Sequence, residues 1–371
     1  MTDRPPPRVV VAPDKFKGSL TAAQAAAAMR LGVLDVLPEA DVECLPIADG
    51  GEGTVEAFIS AGAVPHEVTV NGPLGDSVLA RLAVRGEDAV LEAAQACGLG
   101  LIARPGPATA LAADTFGVAQ LVLAAVSLGA GRVVIGIGGS GSTDGGSGLA
   151  RGLGAVLLDE SDAPLPPGGG SLVRLGRIDA SRLVVPGIRV AAAVDVQAQL
   201  VGAAHTYAAQ KGAGPDEISL LDKGLRRWAE VVERDIGVSI GELPGGGAAG
   251  GLAAGAVAFL GAEIVSGVDT VLELVGFRQA AAGADLVLTG EGSFDAQSLE
   301  GKAPVGVARM AAPTPTWVVS GRSALTQASL DAVGIAGALA LTDIASAEQA
   351  IADAAPLLRR RTADAVRIWT G

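Results

Sequence analysis

Four stretches of this sequence set glycine beside hydroxyls, carboxylates and ammonium groups. They are Ala12-Pro-Asp14-Lys15-Phe-Lys17-Gly18-Ser19; Ala48-Asp49-Gly50-Gly51-Glu52-Gly53-Thr54; Gly136-Ile-Gly138-Gly139-Ser140-Gly141-Ser142-Thr143-Asp144-Gly145-Gly146; and Thr289-Gly290-Glu291-Gly292-Ser293-Phe-Asp295, running on to Gly301-Lys302. Backbone without Cβ atoms lets a ligand come close, and the flanking groups supply charge and hydrogen bonds. Only five of the 27 basic residues are lysines, and Lys15, Lys17, Lys211 and Lys302 lie in glycine-rich or polar segments, whereas Lys223 sits in an amphipathic run. A compact ammonium suits a phosphoryl or carboxylate group where a planar guanidinium does not fit. A solvated surface position is the plain alternative for each of them. Asp49, Glu52, Asp144, Asp195, Glu291 and Asp295 are hard oxygen donors of the kind Mg²⁺ takes when it bridges phosphates, but their spacing is not diagnostic. Helix capping accounts equally for Asp49 and Asp144.

Other chemistries find less support. Arg132-Val-Val-Ile-Gly136-x-Gly138-x-x-Gly141 imitates a dinucleotide fingerprint, so a nicotinamide-dependent oxidoreductase using the Gly136–Gly141 turn is one alternative. Against it, Asp144 places a carboxylate where a pyrophosphate needs a bare helix N-terminus. Gly301-Lys302-Ala303 lacks the Ser or Thr that ends a P-loop. Two separated histidines, His66 and His205, are a thin basis for a triad or metal centre, and no G-x-S-x-G elbow occurs. Cys44 and Cys97 show neither disulfide nor zinc spacing and read as small core residues in a reducing compartment.

The elements that must position these loops alternate at both chain ends. Strand Arg8–Ala12, a capped helix opening at Ser19–Gln24 and strand Val42–Ile47 begin the chain. Strands at 284–289, Thr316–Ser320 and Ala338–Leu341 alternate with helices at Pro304–Met310, Leu325–Val333 and Ser346–Arg360 near its end. Such βαβα alternation predicts a parallel sheet covered on both faces, with the first, second and fourth glycine loops meeting at its carboxyl rim. The middle differs: a hairpin from His66–Val70 and Ser77–Val84, helices at Phe116–Leu128 and Pro215–Ile236, a strand at Arg132–Ile137 and a loop-like stretch at Asp159–Gly176. The expectation is an α/β protein of two domains: a doubly wound domain from residues 1–72 and 284–371, and a mixed α/β domain, 73–283, inserted into it.

Length supports that division, since 371 residues exceed the ~150 of one ordinary domain. A 49% hydrophobic composition with 53 glycines excludes dominant disorder. A net charge of −13 and only 3% aromatic residues argue against nucleic acid as a partner. The uncharged stretch Leu243–Ala262 opens on Pro244-Gly-Gly-Gly and lacks anchoring flanks, so no membrane partner is expected. The short apolar run after the N-terminal prolines is no signal-peptide core, which makes a cytoplasmic location the expectation.

Taken in order, Ala12–Thr21, Pro46–Thr54, Gly138–Gly146, Gln210-Lys-Gly-Ala213, Pro244–Gly251 and Thr289–Gln297 through Gly301-Lys-Ala-Pro304 resemble the signature segments of bacterial type I glycerate kinases across nearly the whole chain. The resemblance implies phosphorylation of D-glycerate by ATP with Mg²⁺, giving 2-phosphoglycerate, with 3-phosphoglycerate the other candidate product. It implies a flavodoxin-like domain built from both chain ends, an inserted second domain and a site in the cleft between. On that basis Gly138, Gly139, Ser140, Ser142 and Thr143 are expected to bind nucleotide, and Asp144, Asp195 and Glu291 to hold the metal. Lys15, Lys17, Ser19 and Lys211 are expected at the substrate, and Asp49, Asp295 and Lys302 at the chemistry, one of the aspartates orienting the hydroxyl. A homodimer stands among the partner expectations. Two departures are visible: Val194-Asp-Val-Gln-Ala-Gln199 replaces the family's Cys-Asp-Val and Asn-Pro pattern, and Ala208-Ala209 replaces Gly-Pro before Gln210. A non-catalytic small-anion-binding relative is therefore a further alternative.

Overall fold

Val9 and Val11 of strand Arg8–Val11 enter one apolar core while Val10 enters another, and Leu286, Leu288 and Val287 of strand Leu286–Thr289 divide in the same way. Alternate side chains of a strand point to opposite faces, so a run apolar at every position is stable only where both faces are covered. Each such burial contributes about 1.5–3 kcal/mol. In the computed structural model, which describes residues 5–371, these strands belong to the first of two compact units.

The first unit comprises the described residues up to Asp49, Glu56–Gly62 and Val268–Gly371. Its five strands lie in the order Gly337–Ala340, Thr316–Ser320, Leu286–Thr289, Arg8–Val11, Asp41–Cys44, all parallel. Numbered along the chain this is 2-1-3-4-5, the flavodoxin-like order, whose ligand crevice opens where the order reverses, between the first and third strands. Helices Ala22–Leu34 and Ala354–Thr370 cover one face, and Gly267–Leu274, Phe277–Ala281 and Ala303–Ala311 contribute to the core on the other. The first helix starts where the sequence says it should: Thr21 Oγ1 accepts from Gln24 N–H at 3.2 Å and Gln24 Oε1 accepts from Thr21 N–H at 2.9 Å, a closed capping box.

The second unit comprises Gly50–Val55 and Ala63–Gly267. Its sheet runs Glu263–Ser266, Arg189–Val194, Arg132–Gly136, Asp88–Glu92, Ser77–Arg85, Val64–Asn71, parallel over the first four strands and antiparallel over the last pairs. The hairpin turns at Gly72–Asp76, with Val70 opposite Val78. Helix Pro215–Ile236 begins with proline at its first position, Glu217 capping the Gly214 N–H, and ends at Gly237 with φ +81°.

Several boundaries differ from expectation. The hairpin strand Val64–Asn71 hydrogen-bonds into the second unit's sheet, which moves the first crossover from 72 back to 62. Val268, Val271, Leu272 and Phe277 bury in the first unit's core, which moves the return from 284 to 268. Asp159–Gly176 is not simply loop: Val156–Asp159 pairs with Leu175–Asp179, and Gly169–Arg174 forms a 3₁₀ turn. The last helical run breaks at Asp353 into Ala347–Ala352 and Ala354–Thr370. Leu243–Ala262 contains the helix Ala248–Leu260, buried along most of its length, and among the described residues no helix is long and apolar enough to cross a membrane.

Candidate functional site

In the first unit, the loops after the first and third strands are stitched together at the switch point. Asp14 N–H donates to the Gly290 carbonyl at 2.9 Å, and Thr289 Oγ1 donates to the Ala12 carbonyl at 2.7 Å. Asp14 itself is only 7% exposed, and its Oδ1 accepts the Lys15 N–H at 2.6 Å. Burial raises its pKa to about 7, the Asp49 charge adding to the rise and Lys15 opposing it. Glu291 is likewise raised to about 7, chiefly by burial, against the pull of the Ser298 hydroxyl and Lys302, and its Oε1 is buried without a hydrogen-bond partner among the described residues. Two carboxyls poised near neutrality at a sheet's ligand crevice are suited to taking up and releasing protons. The composition of Ala12–Ser19 marks the location, but nothing in the spacing of Asp14 reveals its burial.

Asp295 behaves oppositely. Desolvation works to raise its pKa, but the Ser293 hydroxyl, the Gln297 N–H, the Lys302 charge and the Ser298 N–H together hold it below the ordinary aspartate value. Its Oδ2 accepts from Ser293 at 3.1 Å and its Oδ1 from Gln297 N–H at 3.0 Å, the bonds of a turn-forming residue that stays ionised. Lys302 is half-buried at the start of helix Ala303–Ala311, which has no side-chain cap. Lys15 is half-buried, Lys17 exposed, and Ser19 Oγ donates to the Phe16 carbonyl at 3.1 Å within its own turn.

In the second unit, the stretch after strand Arg132–Gly136 divides into an outer and an inner part. Gly139 is exposed and Gly138 partly so, and among the described residues the N–H groups of Gly138, Gly139 and Ser140 meet no acceptor. Successive backbone N–H groups left without acceptors are chemically able to receive an anion. Ser142 and Thr143 are fully buried, so those two expected nucleotide contacts lie beneath the loop. Asp144 is fully buried too, and its carboxylate accepts from Thr115 N–H at 3.1 Å, Thr115 Oγ1 at 2.8 Å, Gly146 N–H at 3.3 Å, Ser147 Oγ at 3.4 Å and Gly148 N–H at 2.9 Å. Its expected place as a metal ligand is corrected accordingly: it organises the start of helix Ser147–Gly152. That same carboxylate fills the helix N-terminus a nicotinamide cofactor's pyrophosphate would need, and the helix starts six residues beyond Gly141.

Lys211, expected at the substrate, is 2% exposed and donates to Ser140 Oγ at 3.1 Å and to the Ser142 carbonyl. Trp228 Nε1 donates to the Gly145 carbonyl at 2.8 Å and stacks on Phe259, backing the loop with a rigid aromatic pair. Ala249, Gly250 and Gly251 all take left-handed conformations. At Gly250 a Cβ would collide with the Ser142 carbonyl and lie 3.0 Å from Lys211 Nζ. Glu92, buried, accepts from Gly53 N–H at 3.0 Å and Val55 N–H at 2.9 Å and holds the loop that follows Asp49. Asp195 is exposed immediately after strand Arg189–Val194.

Among the described residues no set of three or more His, Cys, Asp or Glu side chains could by itself hold a metal ion. Mg²⁺ asks for less, one or two carboxylates completed by phosphate oxygens and water. The orphaned Glu291 Oε1 fits that demand, and the saturated carboxylate of Asp144 does not.

The sequence profile of the glycerate kinase family matches residues 9–370. A glycerate kinase of Halalkalibacterium halodurans is 42% identical over 311 residues, covering 82% of each chain. The glycerate 2-kinase of Escherichia coli K12 is 42% identical over 318 residues, again 82% of each. A crystal structure of a protein assigned as glycerate kinase 2, from Salmonella typhimurium LT2, superposes with a TM-score of 0.86 at 36% identity over 98% of both chains. The chain belongs to the glycerate kinase family.

Proposed function

We propose that the protein transfers the γ-phosphoryl group of Mg²⁺-ATP to the 2-hydroxyl of D-glycerate. The observation that carries this reading is the switch-point pair Asp14, buried, and Glu291, half-buried with its Oε1 enclosed, two carboxyls held near neutral pKa at the carboxyl edge of a flavodoxin-like sheet. A hydroxyl acceptor must lose a proton as it attacks, and a group with pKa near the working pH takes it best. Membership of the family supports glycerate as the acceptor, and the name of the Escherichia coli relative supports the 2-position.

Asp14 accepts the hydroxyl proton as the substrate oxygen bonds to the γ-phosphorus and the bond to the ADP oxygen breaks, so the products are the phosphate ester, ADP and a protonated Asp14. Orienting the hydroxyl remains with Asp49 or Asp295, and the proton goes to Asp14. Asp49 raises the basicity of Asp14 by its charge, and Asp295 is held ionised in its turn. Lys15 and Lys302 supply positive charge for the carboxylate and the transferred group. Glu291, together with phosphate oxygens, is the residue that would hold Mg²⁺, which neutralises charge on the phosphoryl group. The Gly138–Ser140 N–H groups bind phosphate oxygens. General-base assistance contributes ~10²–10⁴ in rate, and the remainder comes from positioning and preorganised charge.

The test is steady-state ADP release with Mg²⁺-ATP and D-glycerate, beside L-glycerate, tartronate and lactate, with the product identified by its phosphorus–proton coupling. Release dependent on D-glycerate with phosphorus on the 2-position is expected. A folded protein that releases no ADP with any of these acids overturns the reading.

A further inference from the structure

The Lys211 side chain lies beneath the glycine loop, not at a surface a substrate can reach. It rises from the 3₁₀ turn Ala209–Lys211, closed by Gly212 at φ +96°, and is 2% exposed. Its Nζ bonds Ser140 Oγ at 3.1 Å and the Ser142 carbonyl, the residues on either side of Gly141. Gly141 N–H is in turn tied to the Cys97 carbonyl at 2.7 Å. Both neighbours of Gly141 are thus held by the one ammonium, while among the described residues the N–H groups of Gly138, Gly139 and Ser140 meet no acceptor. A long cationic side chain is almost never buried this completely without a partner that repays its desolvation. Here the compensation comes from those two oxygens and from Asp144, whose carboxylate is committed to five other donors. Glycine at 250 leaves the space the ammonium occupies.

We propose that Lys211 is a positioning residue for nucleotide, whose buried ammonium fixes the Gly138–Ser142 loop so that its free N–H groups converge on phosphate oxygens. The inference rests on the nucleotide role given to that loop above. It separates Lys211 from the acid-binding lysines: loss of its ammonium weakens nucleotide and leaves the affinity for glycerate alone. Its charge also lies behind donors that face an anion, so the loop is an anion site only while Lys211 is protonated. The groups facing the ammonium are Asp144, which favours the charge, and the Cys97 thiol; burial outweighs them and brings the pKa down to about 8.

The test measures equilibrium binding of Mg²⁺ with a non-hydrolysable ATP analogue, together with the KM for D-glycerate, in wild type and Lys211→Met. Tenfold or greater loss of analogue affinity in the variant, with KM for glycerate within threefold, is expected. In wild type alone, analogue affinity is expected to weaken as the pH is raised through about 8, a readout that needs no variant to fold. A Lys211→Met protein that binds the analogue within twofold of wild type, or a wild-type affinity flat across that range, overturns the proposal. Failure of the kinase reading is distinguishable: the wild type would then bind the analogue and transfer no phosphoryl group to glycerate, while the effect of Lys211→Met on binding would stand.

Discussion

The main-chain N–H of Asp14 donates to the carbonyl oxygen of Gly290 at 2.9 Å, joining residues 276 positions apart at the point where the strand order of the first sheet reverses. One bond thereby fixes both switch-point loops, one carrying Asp14 and the other Glu291. The Asp14 carboxyl is held in a dry position by backbone geometry, which is why its proton affinity is that of a base and not of a surface aspartate.

Asp14→Asn keeps the shape and the N–H to Gly290 but cannot accept a proton. Turnover is expected to fall by about 10²–10⁴ with little change in KM for glycerate, and the variant should be no less stable than wild type at pH 8, where it no longer buries a charge. ADP-release kinetics and thermal unfolding check both. A variant within threefold of wild-type kcat would remove Asp14 from the proton transfer.

The two raised carboxyls also set a pH dependence of stability. Between the ordinary carboxylate range and about 7, the folded protein binds protons that the unfolded chain has released, so stability falls as pH rises across that window. Melting temperature without ligands should therefore decline from pH 5 to pH 8, and Asp14→Asn should flatten the decline. For activity the sign is reversed: Asp14 must be unprotonated to accept, so kcat/KM should drop as pH is lowered through about 7.

Much of this framework is legible in the sequence, and the limits are physical. The alternation around Val9–Val11 and Leu286–Leu288 announces a sheet buried on both faces, and Thr21 with Gln24 announces a helix start. The glycine loops stand out because the composition of a close-approach segment is local information. Burial is not local. Lys211 and Lys15 look alike in sequence, yet only tertiary packing around Gly250 makes Lys211 an interior cation. Asp144 reads as a ligand or a cap with equal ease, and the choice is made by Thr115, 29 residues away, whose N–H and hydroxyl both point at it. The crossover at 62 is not legible in the sequence, because a strand looks the same whichever sheet it joins.

Asp144→Ala should damage the fold. It would strand the buried N–H groups of Thr115 and Gly148 and two hydroxyls, at a cost of about 3 kcal/mol or more. Urea unfolding should show this loss, and the Mg²⁺ concentration for half-maximal activity of whatever folded protein remains should be unchanged. A well-folded Asp144→Ala enzyme with a raised Mg²⁺ requirement would restore Asp144 as a ligand.

Glu291→Gln offers the complementary outcome. Its orphaned Oε1 makes no hydrogen bond that the amide would break, so stability should hold or improve, while the Mg²⁺ requirement should rise tenfold or more. Activity titrated against Mg²⁺ at saturating ATP separates this from a general loss. An unchanged requirement would place the ion elsewhere.

Lys302→Ala tests the charge balance of the switch point. Lys302 stands at the uncapped start of helix Ala303–Ala311, and its ammonium is among the influences holding the Glu291 and Asp295 carboxyls down. Being half-buried and at a helix end, it can be truncated with little effect on folding. Two consequences follow from removing one positive charge there. Turnover should fall tenfold or more, because the transferred phosphoryl group and the substrate carboxylate lose a cation. The part of the acid limb that reflects protonation of Glu291, and with it a weaker hold on Mg²⁺, should move to higher pH, because a carboxyl freed from a neighbouring ammonium binds protons more tightly. A surface lysine without a role in the site would produce neither effect, and a change in rate with an unmoved acid limb would confine Lys302 to substrate binding, separate from the tuning of Glu291.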